Sequence, residues 1–315
     1  MLIFDNLSRP GAKSNLKWLT RKYKGLVQVE LSDIRDLAAL RHAVSSASYV
    51  FHFASQVAVT KSLLNPREDF EINALGTLNI LEALRAIENP PPFLFTSTNK
   101  VYGPLNGLKL VRTGSRYALD DSHLRSYGIN ESHPLDFHSP YGCSKGAGDQ
   151  YVLDYARTFN LPAIVFRMSC IYGPHQFGTE DQGWLSHFLI NAIEDKPLII
   201  YGNGMQLRDV LHVNDLILAF VLALDNLDRT SGQVFNIGGG PLNTLSLLEL
   251  VDMINGFRGK ACRVYFENYR IADQRYYVSD LRKFHTMTGW SPQIGVTDGV
   301  RSLYNFLLDG KRTCF

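Results

Sequence analysis

The run Ser139-Pro140-Tyr141-Gly142-Cys143-Ser144-Lys145 sets a phenol and an amine four residues apart. Ser139 and Pro140 read as a helix start, so Tyr141 and Lys145 share one face, one turn from each other. Tyrosine near its free pKa of about 10 is a poor base. A neighbouring ammonium favours the phenolate and lowers that value, and a cationic ring bound alongside does the same. Such a pair can take a proton from a hydroxyl while hydride leaves the same carbon. Taken alone, the spacing also fits an ordinary amphipathic helix start.

A second signal lies upstream. The apolar run Phe93–Thr98 ends in Thr96-Ser97-Thr98-Asn99-Lys100-Val101-Tyr102-Gly103, a buried strand that delivers hydroxyls at its carboxyl end. Ligands of open α/β sheets bind at that end. A hydroxyl there can hold a substrate oxygen and relay its proton, although a strand-terminal Ser/Thr turn cap would look the same. Arg208, Arg270 and Arg275 are spaced cations suited to forking onto phosphate oxygens. Their simpler readings are a salt bridge from Arg208 to Asp209 or Asp215, and a solvated loop charge at Arg275.

The elements that must position these groups follow an α/β rhythm. Leu2–Asp5, Leu26–Glu30, Tyr49–Ala54, Phe93–Thr98 and Ala163–Met168 read as buried strands. Helical patterns fall near Ser14–Tyr23, Arg35–Val44, Pro66–Ile87 and Pro140–Phe159. That alternation predicts βαβ crossovers and a parallel sheet. Beyond Tyr172 the rhythm loosens, with further elements near Leu198–Tyr201, Asn214–Asp225, Gln233–Ile237, Leu245–Ile254 and Cys262–Phe266. The glycine cluster Gly238-Gly239-Gly240 follows a late strand and runs into Pro241, so it reads as a strand-ending turn rather than a phosphate loop.

The bulk properties narrow the class. The chain has 315 residues, 45% hydrophobic and 20% charged, with a formal net charge of +2. That composition suits a folded globular protein. No basic run points to nucleic acid or an anionic membrane, and the longest apolar runs fall short of a bilayer span. Cys143, Cys170, Cys262 and Cys314 lack metal-ligand spacing, so no metal and a reduced cytoplasmic setting are expected.

Together these residues resemble the extended short-chain dehydrogenase/reductase superfamily of nucleotide-sugar epimerases and dehydratases. The resemblance implies a Rossmann-type doubly wound parallel sheet with a smaller α/β substrate domain, and NAD as cofactor. It places Thr98, Tyr141 and Lys145 on the catalytic positions. It makes Asp5 and Asn6 the ribose end of the cofactor site and Asp33 and Ile34 the pair beside adenine. Phe53-Ala54-Ser55-Gln56 looks like the loop next to the cofactor, with Ala54 and Gln56 as contacts. Asn73 looks like the family's helix asparagine, Ser97 precedes the catalytic hydroxyl, and Met168 reaches the nicotinamide. Arg208 looks like the grip on the substrate diphosphate, and Arg270, Asp273 and Arg275 like the late loop over the nucleotide.

Dehydratases of this superfamily carry an Asp-Glu pair right after the catalytic hydroxyl. Asn99 and Lys100 cannot do that proton work, which favours an epimerase. Phe4–Arg9, Ser97–Gly103, Leu135–Tyr141 and Asp181–Trp184 resemble the CDP-paratose (CDP-tyvelose) 2-epimerase group, implying hydride removal from C2 and return to the other face. The alternatives are a UDP-sugar 4-epimerase and a non-catalytic relative that binds a nucleotide sugar. Cys170 stands where many relatives have asparagine, and reads as an unpaired buried thiol. The superfamily's first strand, Gly-rich turn and first helix, about 30 residues for such a piece, have no counterpart before Leu2. That absence predicts an N-terminally shortened sheet with a strand missing between those ending at Asp5 and Thr98, and poor NAD binding. Residues 1–165 are expected to form the NAD-binding domain. Residues 166–315 are expected to form mainly the nucleotide-sugar domain, with interleaved returns to the sheet. A homodimer or tetramer through the Pro66–Ile87 and Pro140–Phe159 helices is what the resemblance implies.

Overall fold

A computed structural model of the chain describes residues 1–312, so Cys314 lies outside the described residues. In chain order the first strands are β1 Leu2–Phe4, β2 Gln28–Glu30, β3 Val50–His52, β4 Phe93–Thr98, β5 Leu110–Thr113, β6 Arg116–Leu119 and β7 Ala163–Met168. The rest are β8 Cys170–Tyr172, β9 Leu198–Tyr201, β10 Leu207–His212, β11 Val234–Ile237, β12 Thr244–Ser246, β13 Val264–Glu267 and β14 Tyr276–Tyr277. The chain divides into two compact units. Unit 1 comprises Met1–Ser97, Ser139–Phe166 and Leu227–Val234; unit 2 comprises Thr98–His138, Arg167–Asn226 and Phe235–Phe315. Residues 98–138, expected with the nucleotide domain, therefore group with the second unit. The chain leaves unit 1 at the carboxyl ends of its central strands, where β4 gives way to the turn after Ser97.

Unit 1 is built on the sheet order β11-β7-β4-β3, with β3 and β4 parallel and Val50 beside Phe93. Phe93, Phe95, Ala163 and Val165 are fully buried from the two central strands, as their unbroken apolar runs require. Leu81 and Leu84 of the Gly76–Arg85 helix and Val152 of the Ser139–Phe159 helix close the same core. The long helix lies close to β4 because Gly148 has no side chain: a Cβ there would sit 3.2 Å from the Phe95 ring. The predicted continuous helix near Pro66–Ile87 is interrupted, with a π segment over Glu71–Leu75 that holds Asn73.

β1 and β2 pair in parallel as a separate two-stranded ladder. The strand ending at Thr98 does not border a gap: β4 is flanked on both sides, by β3 and β7, and β3 is an end strand of its sheet. Edge placement also explains why strands read as buried are open. Leu2, Val29 and Phe51 are each more than a third exposed, and Phe53 just beyond β3 is 55% exposed.

In unit 2, β10 is central. It pairs with β12 antiparallel, with β14 in parallel and with β8 in parallel. β9 and β13 form a parallel pair, and β5 and β6 a hairpin. Leu189, Leu198, Ile200, Leu250, Ile254 and Leu303 are fully buried in its core. The Leu247–Arg258 helix starts with a capping box between Ser246 and Glu249. Gly238 and Gly239 follow β11 where the backbone passes against β10: a Cβ on Gly239 would lie 2.2 Å from the Val210 carbonyl oxygen. Close approach to backbone accounts for Gly239, close approach to the Asp209 and Ser279 side chains for Gly238, and a positive φ for Gly240.

Candidate active site

In unit 1 the Ser139–Phe159 helix opens with Ser139 at φ 69, a strained value for a residue with a side chain. Its hydroxyl accepts the Gly142 N–H at 3.3 Å, the capping bond expected of a helix start. The Tyr141 N–H donates to the buried Ser62 hydroxyl at 3.2 Å, which fixes the first turn. Lys145 is 3% exposed; its ammonium donates to the Thr96 carbonyl oxygen at 2.7 Å and lies 4.3 Å from the centre of the Phe95 ring. Burial pulls its pKa down to about 7, against the opposing pull of the Asp149 and Asp69 carboxylates. Ser97 donates to Asp149 at 2.7 Å, so the end of β4 is tied to this helix one turn beyond Lys145.

A polar network binds the loop after β3 to the same helix. Asn73 Oδ1 accepts the Gln56 N–H at 2.9 Å, and Asn73 Nδ2 donates to the Gln56 carbonyl at 2.9 Å and to Ser144 Oγ at 3.1 Å. Gln56 Nε2 donates to Asp69 at 2.6 Å, and the Ser144 hydroxyl donates to the same carboxylate. Burial pushes the Asp69 pKa up, while these donors hold it back. The arrangement brings Gln56 and Asn73 together through Asp69 and Ser144, neither of which sequence reasoning singled out. Ser144 lies inside the Tyr141–Lys145 turn and Asp69 is four residues before Asn73, one helical turn away.

The first residues of unit 1 form another cluster. Asn6 Nδ2 donates to Asp33 at 2.9 Å, and Arg35 grips both Asp33 oxygens at 2.8 and 2.9 Å. The Arg35 hydrogen bonds hold the Asp33 carboxyl well below the usual range. Asp5, exposed just after β1, accepts the Leu7 N–H at 2.6 Å. Ile34 is 6% exposed and gives its side chain to the core. Ala54 follows β3, half-buried.

In unit 2, Thr98 is the last residue of β4; its hydroxyl accepts the Lys100 N–H at 3.2 Å and caps the short Asn99–Tyr102 turn. Arg208, buried on β10, pairs with Asp273 at 2.9 Å and donates to the Leu207 and Gln274 carbonyls. The pairing is with Asp273 rather than with Asp209 or Asp215. Asp209 is taken up by Ser169 and by the Gly240 and Ser279 N–H groups. Lys100 approaches Asp273 at 3.9 Å. Arg270 stands over the Tyr201 ring at 3.8 Å and pairs with Glu180 at 2.9 Å, while Arg275 lies 5.1 Å from the Tyr269 ring centre. Met168 ends β7, half-buried. Cys170 is a free thiol that accepts the Trp184 Nε1–H at 3.4 Å, and burial pushes its pKa up.

The model of the NAD dependent epimerase/dehydratase family matches residues 2–238. The chain belongs to this family. Its sequence is 44% identical to the CDP-paratose 2-epimerase of Salmonella typhi over 97% of this chain and 91% of that protein. It is 30% identical to a putative UDP-glucose 4-epimerase of Methanocaldococcus jannaschii, over 99% of this chain and 92% of the relative. Among solved structures, the UDP-glucuronic acid 4-epimerase from Bacillus cereus, in complex with UDP-glucuronic acid and NAD, is 26% identical. It has a TM-score of 0.83 and covers 98% of this chain and 90% of its own. The Rossmann-like α/β fold with parallel strands is that of the family. Among the described residues no helix is long and apolar enough to cross a membrane.

Proposed function

We propose that the chain is an NAD-dependent CDP-paratose 2-epimerase, interconverting CDP-paratose and CDP-tyvelose through a 2-keto sugar. The observation that carries this reading is the 44% identity to a CDP-paratose 2-epimerase across 97% of the chain. Asn99 and Lys100 after the catalytic hydroxyl support it further, since neither can serve as the carboxyl pair of a dehydratase.

The polar set of unit 1 fits a dinucleotide. Asp5 offers an exposed carboxylate just beyond a parallel strand, where ribose hydroxyls are held, and Lys145 offers a buried amine. In this reading Asp5, Asn6, Asp33 and the Ile34 backbone hold the adenosine half. Ala54, Gln56, Asn73, Ser97 and Met168 border the rest, and Lys145 binds the nicotinamide ribose. Bound NAD supplies the acceptor that takes a hydride and gives it back. Tyr141 removes the hydroxyl proton as the C2–H bond breaks and returns it after the keto sugar has turned over. Thr98 holds the reacting oxygen and relays that proton. Arg208 takes the substrate diphosphate, and Arg270, Asp273 and Arg275 close over the nucleotide. Exposed Phe70, Leu75, Tyr151 and Phe159 on the two helical segments suit a homo-oligomer built through those faces.

A second reading, UDP-sugar 4-epimerisation, is supported by the 30% identity to the putative UDP-glucose 4-epimerase. Incubation with NAD and either CDP-paratose or UDP-glucose separates the two. Turnover of CDP-paratose is expected; turnover of UDP-glucose alone would overturn the assignment.

A further inference from the structure

Among the described residues the Lys100 ammonium has no hydrogen-bond acceptor. Its side chain is 21% exposed, and among the described residues its only ionic partner is Asp273 Oδ1 at 3.9 Å, beyond hydrogen-bond reach. The same oxygen is held by Arg208 Nη2 at 2.9 Å, with the Arg208 side chain 10% exposed. Two cations thus share one carboxylate, and a mostly buried place keeps one surplus positive charge. Such a charge is costly unless an anion completes the site. Burial first, and then the Arg208 charge, bring the Lys100 pKa down to about 8.

The frame around this charge is fixed. Gln274 Nε2 donates to the Gly103 carbonyl at 2.6 Å and the Gln274 carbonyl accepts from Arg208, which anchors the Asp273 loop to the turn bearing Lys100. The Lys100 backbone is held by the Thr98 hydroxyl at 3.2 Å. One short turn therefore presents a hydroxyl and a cation together.

We propose that Lys100 is a substrate-binding residue whose ammonium joins Arg208 on the diphosphate, taking the phosphate next to the sugar, and that this placement fixes C2 as the reacting carbon. The inference rests on the epimerase reading, in which Thr98 holds the reacting oxygen. C2 is bonded to the anomeric carbon that bears the phosphate, so its oxygen and the phosphate are close neighbours; C4 lies across the ring. A cation two residues from the hydroxyl suits the first geometry.

Calorimetric titration of the full chain and of Lys100→Met with CDP and with cytidine tests this. A charge-assisted hydrogen bond lost with Lys100 lowers CDP affinity ~10-fold or more and leaves cytidine affinity unchanged. Lys100→Arg recovers part of the CDP affinity. Asp273 keeps Arg208 in the variant, so its melting temperature without ligand stays within a few degrees of wild type. Equal CDP affinity in wild type and Lys100→Met would overturn the proposal, as would equal losses for CDP and cytidine. Failure of the wild-type chain to turn over CDP-paratose would instead remove the functional reading and the C2 assignment with it. The CDP titrations would then still decide whether Lys100 binds phosphate.

Discussion

Replacing Lys145 by methionine should stabilise the folded chain near neutral pH while abolishing turnover. The drop of the lysine pKa from 10.5 to about 7 corresponds to about 5 kcal/mol, at ~1.4 kcal/mol for each pH unit. Against this stand the lost hydrogen bond to the Thr96 carbonyl, worth ~1–3 kcal/mol, and the lost cation over the Phe95 ring, worth about 1 kcal/mol. The methionine variant should therefore be about 1–3 kcal/mol more stable at pH 6. The sign depends on pH in a defined way. Because the folded pKa lies below the unfolded one, the unfolded chain binds the extra proton between about pH 7 and 10.5. Wild type therefore gains stability as pH rises through that window, and the variant does not. Urea unfolding of both proteins at pH 6 and pH 9.5 should show the difference moving by ~3–4 kcal/mol in favour of wild type, so that the variant is no longer the more stable at pH 9.5. A difference that stays constant with pH would refute the reasoning, and would mean that Lys145 is not held against its charge by burial.

Tyr141→Phe removes the proton acceptor and should cut turnover by at least ~10²-fold with folding unchanged, measured by initial rates and circular dichroism. Unchanged turnover would take Tyr141 out of the mechanism. Gly239→Ala forces a Cβ to within 2.2 Å of the Val210 carbonyl oxygen, and should cost about 2–4 kcal/mol in urea unfolding.

The central strands were legible because burial on both faces writes itself as an apolar run. Phe93–Thr98 and Ala163–Met168 occur with the bounds their patterns suggest. Apolar content did not reveal exposure: Leu2 and Phe51 look like core residues, yet they stand on strands at open edges of the two ladders. The hairpin over β5 and β6 carries Arg112, Thr113 and Arg116, so its alternation is blurred and gives no strand signal. Interleaving of the two units was expected, but its bounds were hidden for a different reason. The chain changes unit inside β4, β7 and β11, at the start of the Ser139–Phe159 helix and between the helices that meet at Asn226 and Leu227, and residue type at those points says nothing about which core follows.

The site was partly legible. Tyr141 and Lys145 declare themselves by helical spacing and Thr98 by its place at a strand end. The pairing of Arg208 with Asp273 joins residues 65 apart, beyond the reach of local pattern. Asp69 was obscured because Pro66-Arg67-Glu68-Asp69 reads as the charged first turn of a helix, where acids are common. Its role appears only when Gln56, Asn73 and Ser144 are seen to converge on it.

The central claim is hydride removal from C2 and return to the opposite face of the same carbon. CDP-paratose carrying deuterium at C2, incubated with the full chain and NAD in ordinary water, tests it by NMR. The expected result is CDP-tyvelose that keeps the deuterium at C2. Loss of the label to water, or no change at C2 while UDP-glucose is epimerised at C4, would contradict the account.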